Sequence, residues 1–475
     1  MDTLIRGGTI HTRNGPEPYD VAITGERIST VAPGGSVVPG RRTRVIEAHG
    51  LDLLPGVIDV HVHLALPFCG TVSCDDFDSG SSAALAGGVT TLLDFAIPSQ
   101  GQTLTQAHET WLAKASTSRV DFSWHLALTR QEHLREIHAM AHRGLPTFKA
   151  FMIYEEEGWA ADDAMLFEAL EAVALARGML LVHAESPRVL RLLIERAHMP
   201  DRMRREGARL HTLTRPNFVE AEAIERVIRW SQSTGGRLYI VHMSTAEGAD
   251  LVRAAQARGV PVLAETCAQY LVLDDRVFHT PDGHLFACCP QVKKPADIER
   301  LWKGLGADNL SATDREPEIC IVSTDTCSFT REQKGMWWVG DERTGYGDWT
   351  RIPMGLPGLE TLLPILYTHG VASGRLSMAR LVELLCMNPA RFMGLGAHKG
   401  SIYPGFDADM VLIDPAAERT VDWRQMHSRC DWSPYQGMRL RGFPQTVLRR
   451  GEFVVEEGRV VAPPGSGRWQ PRHLG

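Results

Sequence analysis

Pro55-Gly56-Val57-Ile58-Asp59-Val60-His61-Val62-His63-Leu64 is the stretch that decides the fold. It is almost continuously apolar, as expected of a strand buried on both faces. Side chains two apart on a strand point the same way, so Asp59, His61 and His63 share a face. Seven similar runs follow: Thr90–Ile97, Asp121–Leu128, Thr147–Tyr154, Met179–Glu185, Leu238–Ser244, Pro261–Cys267 and Cys320–Thr326. The stretches between them have helical spacing, clearest from Ala164 to Leu175 and from Ala221 to Trp230. Eight strand–helix units predict an α/β fold, a (β/α)8 barrel of the TIM type, with its site at the C-terminal ends of the strands.

Outside this alternation the pattern changes. Thr3-Leu4-Ile5-Arg6, Asp20-Val21-Ala22-Ile23 and Arg44-Val45-Ile46-Glu47 read as short strands between turns. The same style returns in Met410-Val411-Leu412-Ile413, Thr446-Val447-Leu448 and Phe453-Val454-Val455. Residues 1–52 and 400–460 are therefore expected to build one small β-sandwich domain from both ends of the chain, around a barrel of residues 53–399. The Pro463-Pro464-Gly465-Ser466-Gly467 segment predicts that residues 461–475 form an extended, exposed tail.

Composition narrows the function classes. The 475 residues are 44% hydrophobic and 23% charged, the balance of a globular protein. A net charge of -7 gives no general attraction to nucleic acid or to anionic membranes. The longest low-charge stretch, Ser79 to Gln100, carries Asp94, glycines and several hydroxyl residues, which suits a membrane span poorly. Met1-Asp-Thr-Leu-Ile-Arg lacks the layout of a signal peptide. The nine cysteines are scattered and odd in number, without a Cys-x-x-Cys pair, as expected of a reduced, cytoplasmic protein.

The chemistry gathers at strand ends. His61 and His63 are either hydrogen-bonded core histidines or metal ligands, and Asp59, on the same face, is placed to orient a ligand or the metal-bound water. Leu181-Val182-His183-Ala184-Glu185 and Ile240-Val241-His242-Met243-Ser244 each end an apolar run with a histidine. Val322-Ser323-Thr324-Asp325-Thr326 ends the last run with a carboxylate, which serves as a ligand or as a helix N-cap. Together these are the nitrogen and oxygen donors expected around catalytic zinc or a similar ion. Lys149 lies inside Thr147-Phe148-Lys149-Ala150-Phe151, where every neighbour is expected to be buried. Either its ammonium snorkels to the barrel mouth, or burial depresses its pKa and frees the amine to add carbon dioxide. The resulting carbamate is an anion able to bridge two ions.

The chain resembles the cyclic amidohydrolases, most closely the hydantoinase/dihydropyrimidinase group. The carriers are Asp59-Val-His61-Val-His63-Leu, Leu66-Pro67-Phe68-Cys69-Gly70-Thr71, Phe148-Lys149-Ala-Phe-Met-Ile-Tyr154, Val182-His183-Ala184-Glu185, Val241-His242 and Thr324-Asp325-Thr-Cys-Ser-Phe329. Pro357-Gly358-Leu359-Glu360, Asn388-Pro389-Ala390 and Asp407-Ala408-Asp409 add support. The resemblance implies two divalent metal ions per chain, zinc foremost. His61, His63 and Asp325 would hold one ion and His183 and His242 the other, with carbamylated Lys149 between them. It further implies attack of a metal-bridging hydroxide on a cyclic amide, with Asp325 moving the proton and the Tyr154 hydroxyl stabilising the oxyanion. Cys289 and Met354 would contact the ring through their main chains. A dimer or tetramer is expected on the same ground, with the β domain and the C-terminal segment as candidate interfaces.

Several positions depart from the group. Glu155 stands where a lysine is common, Cys289 for a serine, Met354 for an asparagine and Thr326 for a histidine. Trp337-Trp338 has no obvious counterpart. Dihydroorotases place an arginine where this chain has Ala65, which argues against an acidic ring. An allantoinase-like enzyme, a one-metal deaminase and a non-catalytic dihydropyrimidinase-related scaffold are the rivals; the last is disfavoured because all six ligand positions are intact.

Overall fold

The computed structural model describes residues 1–12, 15–306, 318–339 and 346–475. Eight parallel strands form the central sheet: β1 (Val57–Val62), β2 (Val89–Ala96), β3 (Asp121–Ala127), β4 (Thr147–Phe151), β5 (Met179–His183), β6 (Leu238–Ile240), β7 (Val262–Cys267) and β8 (Ile321–Ser323). Each is hydrogen-bonded to its neighbour in sequence order. The ring closes where Val62 bridges Thr326 and the His63 N–H donates to the Thr326 carbonyl at 2.7 Å. Every expected apolar run contributes one strand, because strands covered by helices outside and packed side chains inside read as unbroken apolar sequence.

Helices alternate with the strands and begin where the sequence supplies caps. Asp76 caps Phe77–Ala86 in a reciprocal box with Ser79, Thr103 does the same with Gln106 for Leu104–Lys114, and Thr245 caps Ala246–Ala257. The expected helices at 164–175 and 221–230 fall within Asp163–Leu175 and Asn217–Thr234.

The chain ends share one nine-stranded sheet. Within it, Asp52–Pro55 runs antiparallel to Met410–Ile413, pairing Leu54 with Val411. Ile5, Val21, Ile23, Leu53, Met410, Leu412 and Leu448 form its buried core. The first apolar run is thus divided, its start lying in this sheet and its remainder in the barrel. Gly56 is the pivot: a β-carbon there would lie 2.2 Å from Thr90 Oγ1 and 2.9 Å from Asp409 Cβ, so only glycine fits.

The tail is extended, with Pro463, Pro464 and Gly465 exposed as expected, but it is not free of the barrel. Residues 461–475 are strapped along β3. Phe122 N–H donates to Arg468 O at 3.0 Å, Gln470 N–H to Phe122 O at 2.8 Å and Arg472 N–H to Gly144 O at 2.8 Å. The Arg472 side chain is completely buried. Its guanidinium donates to Ser123 Oγ (2.9 Å), Trp124 O (2.5 Å), Thr147 Oγ1 (2.7 Å) and Met393 O (3.2 Å).

Candidate active site

The six candidate ligands converge at the C-terminal mouth of the barrel. His61, His63, Lys149, His183, His242 and Asp325 surround one small cavity, walled by Leu66, Phe68, Phe151, Tyr154 and Trp159. The ligand atoms of His61, His63 and Asp325 lie within 4.8 Å of one another. Asp325 Oδ1 is 3.1 Å from His61 Nε2 and 3.5 Å from His63 Nε2. Yet His61 Nε2 makes no aligned hydrogen bond, and Lys149 Nζ and His242 Nδ1 are also buried without one. Buried polar atoms are normally paired, so several unpaired atoms facing one space are the arrangement a cation would satisfy.

Lys149 does not snorkel. It is fully buried, with its ammonium 4.9–5.1 Å from the Phe151 and Phe95 ring centres. Burial lowers its pKa to about 7, which leaves much of the amine neutral near physiological pH. Burial likewise lowers His183, His242 and His63, the last to about 4, leaving imidazole lone pairs available. Burial also pulls on His61, but Asp325 and Glu265 outweigh it and hold that ring at about 9. Asp325 is not a helix cap, since Thr330 caps the next helix, Arg331–Gly335. Asp325, His242 and Tyr154 all have positive φ (50°, 39° and 73°). Such backbone strain clusters where function fixes a side chain.

Carboxylates behind the ligands set their orientation, and here the sequence reading fell short. Asp59 does not touch an imidazole. It accepts from Thr324 Oγ1 at 2.6 Å and from the Thr324 and His61 N–H groups at 3.2 Å, clamping β1 to β8. Glu265 on β7 holds His61 Nδ1 instead, and it accepts from the Tyr239 hydroxyl at 3.0 Å and the His242 N–H at 3.3 Å. The available signal was a lone glutamate inside the apolar run Val262–Cys267. Glu185 accepts from His183 Nε2 at 2.8 Å and is itself held at about pKa 2, where the His183 hydrogen bond and Arg215 outweigh burial. His125, also buried, is satisfied by Thr147 Oγ1 and Val60 O and is no ligand candidate.

The inner cavity of about 40 Å3 suits ions and water rather than an organic ring. Tyr154, Cys289 and Met354 line both it and an outer cleft of about 700 Å3. Burial raises the Tyr154 phenol well above its usual range, so its hydroxyl stays a proton donor. Phe68 meets Tyr154 edge-on and stacks on Trp159, each at 5.2 Å between ring centres. Glu155 pairs with Arg191, and Glu157 accepts from the Cys69 N–H at 3.0 Å, so the acidic run fastens one cleft wall. Trp337 lies on the cleft under Arg351; the Trp338 side chain is outside the described residues.

A second carboxylate group, Asp121, Asp407 and Asp409, is filled by the Lys399 ammonium at 2.6–3.1 Å and so is structural.

Comparison with known proteins supplies the family. The amidohydrolase family model matches residues 53–454. The D-hydantoinase of Streptomyces coelicolor is 35% identical over 477 residues, covering 99% of this chain and 98% of that protein. The D-hydantoinase of Geobacillus stearothermophilus is 34% identical, covering 99% and 97%. The crystal structure of dihydropyrimidinase from Brevibacillus agri NCHU1002 superposes with a TM-score of 0.91 at 33% identity, covering 100% of this chain and 99% of that one. With an eight-stranded barrel, a convergent histidine–aspartate–lysine mouth and full-length similarity of this kind, the chain belongs to the amidohydrolase family.

Proposed function

We propose that this protein hydrolyses a cyclic amide ring, of the hydantoin, dihydropyrimidine or related ureide and imide class, at a two-ion centre. The observation that carries this reading is the set of unpaired, buried donor atoms at the barrel mouth, with a fully buried lysine among them. His61, His63 and Asp325 would hold one divalent ion, His183 and His242 the other, and a carbamate on Lys149 would serve both; zinc fits the donor set. When bound, such a pair supplies a hydroxide at neutral pH and polarises a carbonyl oxygen.

The protein's own groups do the rest. Asp325 would hold the proton released during attack and deliver it to the departing ring nitrogen. Tyr154 would donate its hydroxyl to the oxygen that gains charge. The main chains at Cys289 and Met354 would receive the ring edge, which tolerates their unusual side chains. The outer cleft would take the ring substituent, and the apolar Leu66, Phe68 and Trp159 wall favours a weakly polar ring. Assembly as a dimer or tetramer and a cytoplasmic location belong to the same reading; no helix among the described residues is long and apolar enough to cross a membrane.

The test is a ring-opening assay of zinc-loaded protein on dihydrouracil, hydantoin, 5-substituted hydantoins, allantoin and simple cyclic imides, with metal content and native mass measured in parallel. Two ions per chain with turnover of a hydantoin or dihydrouracil is expected. Turnover of allantoin alone would move the assignment to the allantoinase-like alternative, and a protein that takes up no metal would end the reading.

A further inference from the structure

Behind the metal-facing rings, a row of buried groups leads away towards the ring-binding loop. Arg215 lies between the helix Arg209–Leu213 and the helix Asn217–Thr234. It is 7% exposed and lines the outer cleft beside Tyr154, Cys289 and Met354. Its Nε faces Glu185 Oε1 at 3.6 Å, an ion pair without a hydrogen bond, while its Nη1 reaches His211 Nδ1 at 3.2 Å. His211 is buried too, and its Nε2 lies 2.7 Å from the Cys288 carbonyl oxygen.

The protons in this row can be assigned. Arginine only donates, so His211 Nδ1 accepts. His211 Nε2 therefore carries the hydrogen given to Cys288 O. At the other end, Glu185 accepts from His183 Nε2, which leaves His183 Nδ1 as the lone pair for an ion. Gln291 Nε2 donates to the Arg215 carbonyl at 2.5 Å, fastening the same loop from beyond Cys289. The row thus runs from a candidate ligand to the peptide that precedes Cys289.

We propose that Arg215 is a positioning residue that couples the metal ligand His183 to the Cys288–Cys289 backbone through His211, given the two-ion, ring-opening reading above. Through its ion pair with Glu185 it steadies the imidazole for the ion; through His211 it fixes the Cys288–Cys289 peptide, whose Cys289 end would meet the ring. One group thereby sets the distance between the ion and the substrate.

The experiment combines zinc titration with steady-state kinetics on 5-phenylhydantoin. Arg215→Met is expected to weaken the second zinc by about tenfold or more, the range for partners of metal ligands, and to raise KM more than it lowers kcat. His211→Phe is expected to raise KM about tenfold. His211→Gln should return KM to near the unaltered value, because its amide accepts from Arg215 and donates to Cys288 O. Unchanged affinity for the second zinc in Arg215→Met, or equal KM in the phenylalanine and glutamine variants, would overturn the coupling. Failure of the unaltered chain to bind zinc would instead overturn the two-ion reading beneath it.

Discussion

Lys149 shows most sharply how a residue's surroundings convert its ordinary preference into chemistry. A lysine is seldom fully buried without a partner, and this one has no hydrogen bond. Burial lowers its pKa to about 7. The neutral amine, the form that adds carbon dioxide, therefore dominates above pH 7 and gives way to the ammonium below it. At a fixed concentration of dissolved carbon dioxide, reloading of stripped protein with zinc should accelerate as pH rises towards 7 and level off above it, which a pH series of reactivation rates checks. Lys149→Ala should lose metal affinity and activity by about a hundredfold or more, read by metal content and turnover. Tyr154→Phe should bind metal normally while kcat falls by roughly 10²–10³; an unchanged kcat would remove Tyr154 from the oxyanion site. These residues were legible because each interrupts an apolar strand with a group that burial penalises. Glu265, Arg215 and His211 were not, since their meaning lies in partners on other elements: Glu265 on β7 becomes an orienting group only when the barrel brings it against His61 on β1.

At the level of elements, the barrel strands could be read because double burial leaves an unbroken apolar signature. Their ends could not be read as well. The run from Leu54 to His63 changes sheets at Gly56, marked in the sequence by a single glycine, while the reason is the approach of Thr90 and Asp409. The anchor of the tail was hidden for a related reason: Arg472 looks like a surface residue until Ser123, Trp124, Met393 and Thr147 are placed around it. Arg472→Met would remove four hydrogen bonds from a buried site, at a cost of roughly 2–4 kcal/mol. A urea or thermal unfolding curve measures this, and stability equal to the unaltered chain would show that the strap contributes little.

For the whole molecule, the two sheets meet where β1 leaves the terminal sheet, so the first ligand strand is anchored directly to the small domain. Chelation should abolish activity, and zinc should restore it. At a zinc concentration about 1,000-fold above Kd, each bound ion would stabilise the fold by roughly 4 kcal/mol, seen as a higher Tm. A Tm insensitive to zinc would mean that the barrel mouth does not bind it. The strap beneath β3 also has a consequence for synthesis. Arg472 is made 349 residues after Ser123, its partner in the barrel. At about 5–20 residues per second, the third strand waits on the order of 20–70 s for the arginine that completes it. Until then a ribosome-bound chain carries an unfinished barrel floor, and the order of translation, not only the stability of the finished fold, governs how long that floor is open to wrong partners.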